Sequence, residues 1–396
     1  MRQIIPVFFL SLAVASAQAA PINFDAKIQK IFSDHFLKFQ KDEYYSGAAL
    51  SVYLPKEEIK NYYLGSISHD TNSEKISANT LFHIGSITKS FTAVLALQAE
   101  KAKKLTLNDS INQWLPQYNK WGTLAIKNLL NMSSGLPNYS DTPLWNTEEY
   151  HHPDHAWTNE QLIDYVYPPK FSPPLKSGYF YSNTGYLLIN LMVEKATQTS
   201  FSSAMDQLIQ SADLQNTFYP VPNMTSAIQT RLSEGYNYNQ YDNPALVGKS
   251  LRNNNLTWAG AAGAIVGNSE DIIKWVRALF VENKILTPEQ KTKLMQLVSM
   301  KTGKPIKNLT KEDSHGFGLG VAEAFEADSD LGHFWLYEGS TPGFRALYMY
   351  VPCNGIIVST IFNSATNSEN DHIHDLLKKV YLEILAQNPK LKCAKK

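Results

Sequence analysis

The chain has 396 residues and a formal net charge of zero, since 36 Lys and Arg residues balance 36 Asp and Glu residues. With 43% hydrophobic and 18% charged residues, it has the composition of a soluble globular protein of one large domain or two closely joined ones. A neutral chain has no basic excess to attract nucleic acid or an anionic membrane, so neither is expected as a partner.

The first 19 residues have the pattern of a secretory signal peptide. Arg2 precedes an apolar run over residues 4–14, and small residues follow up to Ala19. This order predicts cleavage after Ala19 and export of residues 20–396. The apolar run is too short to cross a bilayer, so no membrane span is expected after cleavage. An uncleaved anchor is the other interpretation.

Beyond the signal peptide, both ends of the chain alternate between helical and strand-like patterns, whereas the middle is mostly helical and rich in loops. We therefore predict an α+β fold in which one antiparallel sheet is built from both chain ends and a large helical region is inserted. A cleft between these two parts is the expected place for a site. The predicted elements are helices over 23–40, 86–103, 186–196 and 371–386, and strands over 47–54, 59–67, 332–337, 345–351 and 355–362.

The two cysteines, Cys353 and Cys393, suit an oxidising compartment. Cys353 lies in a turn between the last two predicted strands, and Cys393 follows the final helix. A helix that returns antiparallel over the last strand would end near this turn, because the two elements have similar lengths. A disulfide is one interpretation, and two unpaired thiols are the other.

Ser86 and Lys89 form a Ser-x-x-Lys pair at the start of a predicted helix. Residues three apart on a helix share a face, so the amine can reach the hydroxyl. A nucleophile and its base need this proximity. The spacing also occurs by chance on ordinary helices, so the pair needs support from elsewhere in the chain.

Tyr181 and Asn183 precede an apolar helix. The positive end of the helix dipole and a nearby ammonium would both favour the phenolate. Such a tyrosine can take a proton from a serine and later return it to a leaving group. Asn183 could bind the lysine or a substrate amide. Simple packing of a tyrosine-rich loop is the alternative.

Residues 337–344 read Tyr-Glu-Gly-Ser-Thr-Pro-Gly-Phe and lie between two predicted strands. Gly339 would let a substrate backbone approach the strand edge closely. The backbone N–H of this segment could act with that of Ser86 as an oxyanion hole. An ordinary hairpin loop is the alternative interpretation.

The three motifs together resemble the family of class C β-lactamases, D-Ala-D-Ala carboxypeptidases and carboxylesterases of the same fold. The family has Ser-x-x-Lys, then Tyr-x-Asn, then a basic residue followed by x-Gly. Residues 129–137 (Leu-Leu-Asn-Met-Ser-Ser-Gly-Leu-Pro) and 258–263 (Trp-Ala-Gly-Ala-Ala-Gly) also resemble family segments. The likeness runs from about residue 28 to the final helix, so one catalytic domain over 20–396 is expected. Its α/β part would span about 24–104 and 314–390, and its helical part about 105–313.

By this resemblance, Ser86 would be acylated, and Lys89 and Tyr181 would activate it. Asn183 would orient Lys89 and the substrate, and the amides of Ser86 and Ser340 would hold the oxyanion. The implied substrate is a cell-wall peptide, a β-lactam or an ester. No metal or organic cofactor is implied, and the family suggests a bacterial periplasm. Whether Lys89 or Tyr181 is the base stays open, as does the oligomeric state.

Tyr337 departs from the family, because a Lys or His is expected there to bind a substrate carboxylate. A phenol donates a hydrogen bond but carries no positive charge at neutral pH. Arg345 or His333 could replace the charge, although Arg345 at a strand start is expected to face solvent. Tyr337, Gly339 and Ser340 nevertheless count as candidate substrate-binding residues.

Three functions follow from these observations. The first is a D-Ala-D-Ala carboxypeptidase or β-lactamase-like hydrolase that acts on amides. The second is a carboxylesterase with the same chemistry, which Tyr337 favours. The third is a peptide-binding relative without turnover, against which the complete set of motifs argues.

Overall fold

A computed structural model describes residues 24–167, 175–241 and 244–394, excluding the side chain of Tyr150. The predicted signal peptide over residues 1–19 lies outside the described residues. Within those ranges no helix has the length and apolar character needed to cross a membrane.

Twelve strands and thirteen α-helices are present in the described part of the chain. The strands are β1 (Gly47–Tyr53), β2 (Lys60–Gly65), β3 (Phe82–His83), β4 (Tyr236–Tyr238), β5 (Val266–Gly267), β6 (Val298–Ser299), β7 (His315–Phe317), β8 (Ala322–Glu326), β9 (Gly332–Thr341), β10 (Phe344–Val351), β11 (Ile356–Phe362) and β12 (Ser364–Thr366). The helices are α1 (Phe24–Glu43), α2 (Thr88–Lys101), α3 (Ile111–Trp114), α4 (Ile126–Leu130), α5 (Pro143–His151), α6 (Asn159–Asp164), α7 (Asn183–Thr197), α8 (Phe201–Ser211), α9 (Ser226–Gln229), α10 (Gly260–Gly263), α11 (Ser269–Phe280), α12 (Pro288–Leu294) and α13 (Ile373–Gln387).

Eight strands form one sheet in the order β2-β1-β11-β10-β9-β8-β7-β6. All neighbouring pairs in it are antiparallel. Strand β1 pairs with β11, with Ala48 opposite Phe362, so the two ends of the chain meet inside the sheet. The predicted fold class, an antiparallel sheet from both chain ends with a helical insertion, is confirmed.

Side chains that alternate along the strands fill two cores, one on each face of the sheet. Ala48 and Leu50 belong to the core under α1 and α13, whereas Ala49 between them belongs to the core that includes α2, α7 and α11. The second core joins the sheet to the helical region, so the border between the two parts is rigidly packed.

The boundary of the helical region differs from the one predicted. Strand β6 (Val298–Ser299) already belongs to the sheet, although the predicted second sheet segment begins at about residue 314. Helix α11 also packs against the sheet. Ser359 Oγ in strand β11 donates to the carbonyl of Ser269 in α11 at 2.6 Å. A two-residue strand is too short to leave a period-two pattern in the sequence.

The final helix returns over the sheet and brings the cysteines together. Cys353 and Cys393 form a disulfide, with their Cα atoms 5.8 Å apart. Asn354 in the same turn donates to the hydroxyl of Tyr381 at 2.9 Å and to the carbonyl of Leu391 at 3.0 Å. The turn after β10 and the end of the chain are therefore held by one covalent bond and two hydrogen bonds.

Candidate active site

Ser86 lies in a single 3-10 turn, residues 85–87, that leads directly into α2. Gly85 begins this turn with a φ angle of +50°, and a Cβ there would lie 2.5 Å from the amide nitrogen of Ser340. Only glycine satisfies both conditions. The Gly85 backbone thus lets the Ser86 turn approach strand β9.

Lys89, on the first turn of α2, is fully buried and points at Ser86. Its Nζ donates to Ser86 Oγ at 3.1 Å and to the carbonyl oxygen of Ala262 at 2.8 Å. Burial holds the pKa of Lys89 well below its usual value of 10.5, because the ammonium loses its hydration. A neutral amine beside a serine hydroxyl can accept its proton.

Tyr181 approaches Ser86 from the other side, and the two hydroxyl oxygens are 2.6 Å apart. The backbone on either side of it is fixed by residues of segment 129–138. Phe180 N donates to the carbonyl of Met132 at 2.9 Å, and Asn183 N donates to Asn138 Oδ1 at 3.0 Å. Burial raises the pKa of Tyr181 to about 12, although its hydrogen bond with Ser86 lowers it in part. The phenol is therefore protonated at neutral pH.

The main-chain amides of Ser86 and Ser340 come together because strand β9 lies against the Ser86 turn. A Cβ on Gly339 would overlap the carbonyl oxygen of Ile84 and lie 2.9 Å from the Ser86 nitrogen. Gly339 does not adopt the left-handed region, so its requirement for glycine is steric. Two backbone N–H groups beside a serine hydroxyl are the usual elements of an oxyanion hole.

Asn183, the first residue of α7, lies on the wall of the cleft that Ser86 also lines. Its Nδ2 donates to Ser140 Oγ at 3.0 Å, and its Oδ1 is buried without a hydrogen-bond partner among the described residues. The expectation that Asn183 orients Lys89 is not met, because its Oδ1 accepts no hydrogen bond from the amine, which donates to Ser86 and to the carbonyl of Ala262. Ala262 was not predicted from the sequence, because it binds Lys89 through its backbone carbonyl, a group that every residue has.

The cleft has a volume of about 700 Å³ and opens between α5, the start of α7 and strand β9. Its walls carry three carboxyl groups, those of Asp141, Glu149 and Glu338, and the rings of Trp145 and Trp258. None of the described residues that line it is Lys, Arg or His.

The sequence model of the family described as Beta-lactamase matches residues 32–382. The chain belongs to the Beta-lactamase family. The resemblance inferred from the three motifs is thereby confirmed, and the chain is a member of a family of serine hydrolases with the β-lactamase fold.

Curated relatives in the Beta-lactamase family are distant and are matched over part of their length. Penicillin-binding protein 4* of Bacillus subtilis is 24% identical over 70% of this chain and 59% of its own length. A beta-lactamase of Providencia stuartii is 28% identical over 58% of this chain and 54% of its own length. The chain thus spans little more than half the length of these relatives.

A solved structure agrees with the family fold over nearly the whole chain. D-amino acid amidase from Ochrobactrum anthropi SV3, complexed with L-phenylalanine amide, superposes with a TM-score of 0.74. The match covers 92% of this chain and 99% of the amidase, at 22% identity.

Tyr337 occupies the position where the Beta-lactamase family resemblance predicts a basic residue, and it does not line the cleft. The segment from Tyr337 to Thr341 is the end of strand β9 and not a loop, and only Pro342 and Gly343 form the turn. The Tyr337 side chain is 8% exposed, and its ring packs 5.6 Å from that of Phe317. Its hydroxyl lies next to that of Tyr181 and lowers the pKa of Tyr181. The predicted contact of the Tyr337 side chain with substrate stays a prediction.

Neither candidate replacement for the missing charge reaches the cleft. Arg345 is 1% exposed instead of solvent-facing, and it pairs with Glu43 at 2.7 Å and with Asp371 at 2.6 Å. His333 is exposed and lies 3.2 Å from Glu323 on the neighbouring strand. The strand-start argument failed for Arg345 because the sheet is covered on this face by α1 and α13.

Sequence reasoning also missed Glu149 and Asn254, which lie on the cleft wall and are joined by a hydrogen bond. Glu149 follows the polar residues Asn146, Thr147 and Glu148 in a helix without a motif. A glutamate in such a sequence is normally a solvated surface group, so no signal distinguished it.

Proposed function

We propose that this chain is an acyl-enzyme-forming hydrolase whose substrates are amides or esters without a carboxylate near the scissile bond. D-amino acid amides and simple esters are the first substrates to test. The single observation that carries the proposal is the Ser86 hydroxyl, hydrogen-bonded to both Lys89 and Tyr181. It faces a cleft that has three carboxyl groups and no cation among its described lining residues.

In the proposed first step, Ser86 Oγ attacks the substrate carbonyl while its proton passes to the neutral amine of Lys89. Burial favours this acceptor over Tyr181, because it lowers the pKa of the amine and raises that of the phenol. The amides of Ser86 and Ser340 would stabilise the oxyanion as it forms. Asn183 Oδ1, buried and without a partner among the described residues, is suited to accept a substrate N–H.

The proposed second step breaks the bond to the leaving group, which takes a proton from Tyr181, and the Lys89 ammonium then returns a proton to the Tyr181 phenolate. An acyl-enzyme on Ser86 remains. A water then attacks the ester carbon and gives a proton to the same relay, so that the acid is released and Ser86 regains its hydrogen.

The choice of substrate follows from charge. A substrate carboxylate would find no charge-assisted partner among the described residues that line the cleft, and it would meet the carboxyl groups of Asp141 and Glu338, which opposes binding. Because the D-amino acid amidase of Ochrobactrum anthropi SV3 has a similar fold, amides of D-amino acids are suitable substrates for the first test. The sequence-based expectation of D-Ala-D-Ala carboxypeptidase or β-lactamase activity stays a prediction, and the names of the curated relatives keep it as the second candidate.

The test compares turnover of four substrates by the wild type and Ser86→Ala: D-phenylalanine amide, p-nitrophenyl butyrate, nitrocefin and a D-Ala-D-Ala peptide. We expect kcat/KM for D-phenylalanine amide and p-nitrophenyl butyrate to exceed kcat/KM for nitrocefin and the D-Ala-D-Ala peptide by at least about tenfold. The loss of one charge-assisted hydrogen bond to the substrate carboxylate accounts for a factor of this size. L-phenylalanine amide serves as the matched stereochemical control.

Two other results would overturn the proposal. A preference for the D-Ala-D-Ala peptide or nitrocefin would return the carboxypeptidase and β-lactamase assignment. Equal labelling of the wild type and Ser86→Ala by a fluorophosphonate would remove Ser86 as the nucleophile and favour a binding protein without turnover.

Export to the periplasm is part of the proposal and follows from the first 19 residues alone. Mass spectrometry of protein secreted by a bacterial host should give a mature chain that begins at Ala20. A full-length mass for the recovered protein would contradict it.

A further inference from the structure

We propose that Glu149, together with Trp145, Trp258 and Asn254, forms a subsite for a cationic group of the substrate, such as an ammonium. The inference rests on the proposed function, because the substrate acylated at Ser86 must lie in the same cleft. It adds a chemical class to that substrate and assigns a role to a carboxyl group that the hydrolytic steps leave unused.

The subsite is a built part of the fold. Trp145 and Glu149 are four residues apart on α5, so they share the face that lines the cleft. Glu149 is only 4% exposed, and its Oε1 accepts a hydrogen bond from Asn254 Nδ2 at 2.6 Å. The other oxygen, Oε2, accepts one from Trp157 Nε1 at 3.3 Å. The carboxyl group therefore has a fixed position.

The partners of Glu149 are themselves fixed. Asn254 Oδ1 accepts from Trp258 Nε1 at 2.7 Å, and Tyr139 donates its hydroxyl proton to the carbonyl of Trp258. The rings of Trp145 and Trp258 lie 5.4 Å apart at an angle of 45°. Two indole rings beside a carboxyl group offer a cation both a π face and a counter-charge.

Glu149 has no cation beside it in the described part of the chain. Only two neutral N–H groups stabilise its charge, and burial raises its pKa to about 8. A buried carboxyl without a counter-charge is costly for a fold, and such groups concentrate at functional sites. A ligand ammonium would supply the missing charge and ionise the carboxyl.

Trp145 gives a second, independent indication of a ligand. The residue lines the cleft and is 5% exposed, yet its indole N–H has no hydrogen-bond partner among the described residues. Buried donors are nearly always paired, so this one is suited to a ligand oxygen. Of the remaining carboxyl groups of the cleft, that of Glu338 lies 3.0 Å from His374 Nε2, whereas that of Asp141 adds negative potential that favours a cation.

The probe is benzylammonium, compared with the neutral and nearly isosteric benzyl alcohol. Both are tested as competitive inhibitors of p-nitrophenyl butyrate hydrolysis. We expect the Ki of benzylammonium to be at least about tenfold lower in the wild type, because hydrogen bonds between charged groups are roughly twice as strong as those between neutral groups. In Glu149→Gln, which removes the charge and keeps the size, the two Ki values should agree within about threefold.

Two matched variants test whether the preference for benzylammonium comes from Glu149 or from another carboxyl group of the cleft. Asp141→Asn and Glu338→Gln each remove one other carboxylate of the cleft, and both should keep the preference for benzylammonium. If Glu149→Gln does not fold, retention of the preference in both of these variants still assigns it to Glu149. Equal inhibition by the two probes in the wild type overturns the subsite, as does a preference that survives in Glu149→Gln.

A purely structural role for Glu149 gives a different result, namely a lower Tm in Glu149→Gln with an unchanged ratio of the two Ki values. Calorimetric titration of Ser86→Ala with benzylammonium separates this inference from the proposed function. If the wild type hydrolyses none of the test substrates but Ser86→Ala binds benzylammonium, the proposed hydrolase activity is refuted and the subsite remains. Normal hydrolysis without binding would refute the subsite alone.

Discussion

Gly339 offers the most direct test of the geometry around Ser86. An alanine Cβ at this position would overlap the carbonyl oxygen of Ile84 and lie 2.9 Å from the Ser86 nitrogen, where ordinary contacts begin at 3.4 Å. Strand β9 and the Ser86 turn would have to separate by about 1 Å or more to accommodate it. The Ser340 amide moves with the strand, so one donor of the oxyanion hole would be misplaced.

Loss of one such donor costs about 10²–10³ in kcat, or about 2.7–4 kcal/mol, and we expect this loss in Gly339→Ala. The assay is steady-state hydrolysis of p-nitrophenyl butyrate, with the rate of fluorophosphonate labelling as a second measure. Gly185→Ala in α7 is the matched control, because its Cβ would make an ordinary 3.4 Å contact with Leu129. A kcat of Gly339→Ala within about threefold of the wild type would refute the reasoning.

Four further predictions concern the base and the stability of the fold. Lys89→Arg should lower kcat by about 10³, since a guanidinium stays protonated and cannot accept the serine proton. For the wild type, kcat/KM should rise with pH as the Lys89 ammonium loses its proton, with a midpoint well below 10.5; a midpoint at or above 10.5 would contradict this. Arg345→Met leaves the buried Glu43 carboxylate without its partner, so urea denaturation should show a loss of about 3–5 kcal/mol. The exposed pair of Lys311 with Asp328 is the control, and Lys311→Met should leave the urea midpoint unchanged; equal midpoints for the two variants would count against the Arg345 argument. Cys393→Ser opens a 40-residue loop and should cost about 2–4 kcal/mol, and an unchanged urea midpoint would mean that the disulfide does not constrain the unfolded chain.

The candidate site was predicted from the sequence where its geometry is local or its motif is specific. Ser86 and Lys89 are three residues apart on one helical turn, so their contact follows from the helix itself. Tyr181 is distant in the chain, and only the ordered resemblance to the Beta-lactamase family placed it beside them. Asn183 lies on the cleft wall without a hydrogen bond to Lys89 among the described residues, and its role in binding substrate stays a prediction.

The rest could not be predicted, because it depends on how elements pack. Arg345 was expected to be exposed at a strand start, yet it is buried and pairs with Glu43 at the end of α1 and with Asp371 just before α13. The burial of Tyr337, whose ring packs 5.6 Å from that of Phe317, likewise depends on the packing of strand β9. The Ala262 carbonyl, a backbone group, has no signature in the identity of its residue.

The sequence by itself determined the family, the α+β architecture and the grouping of Ser86 with Lys89 and Tyr181, because these follow from residue spacing and from ordered motifs. Only the tertiary structure decided the charge of the cleft. Asp141, Glu149 and Glu338 come from three separate elements and converge on one cavity only when α5 and strand β9 pack around it. Burial, which shifts the pKa of Lys89, Tyr181 and Glu149, is likewise a property of the packed chain and not of any segment.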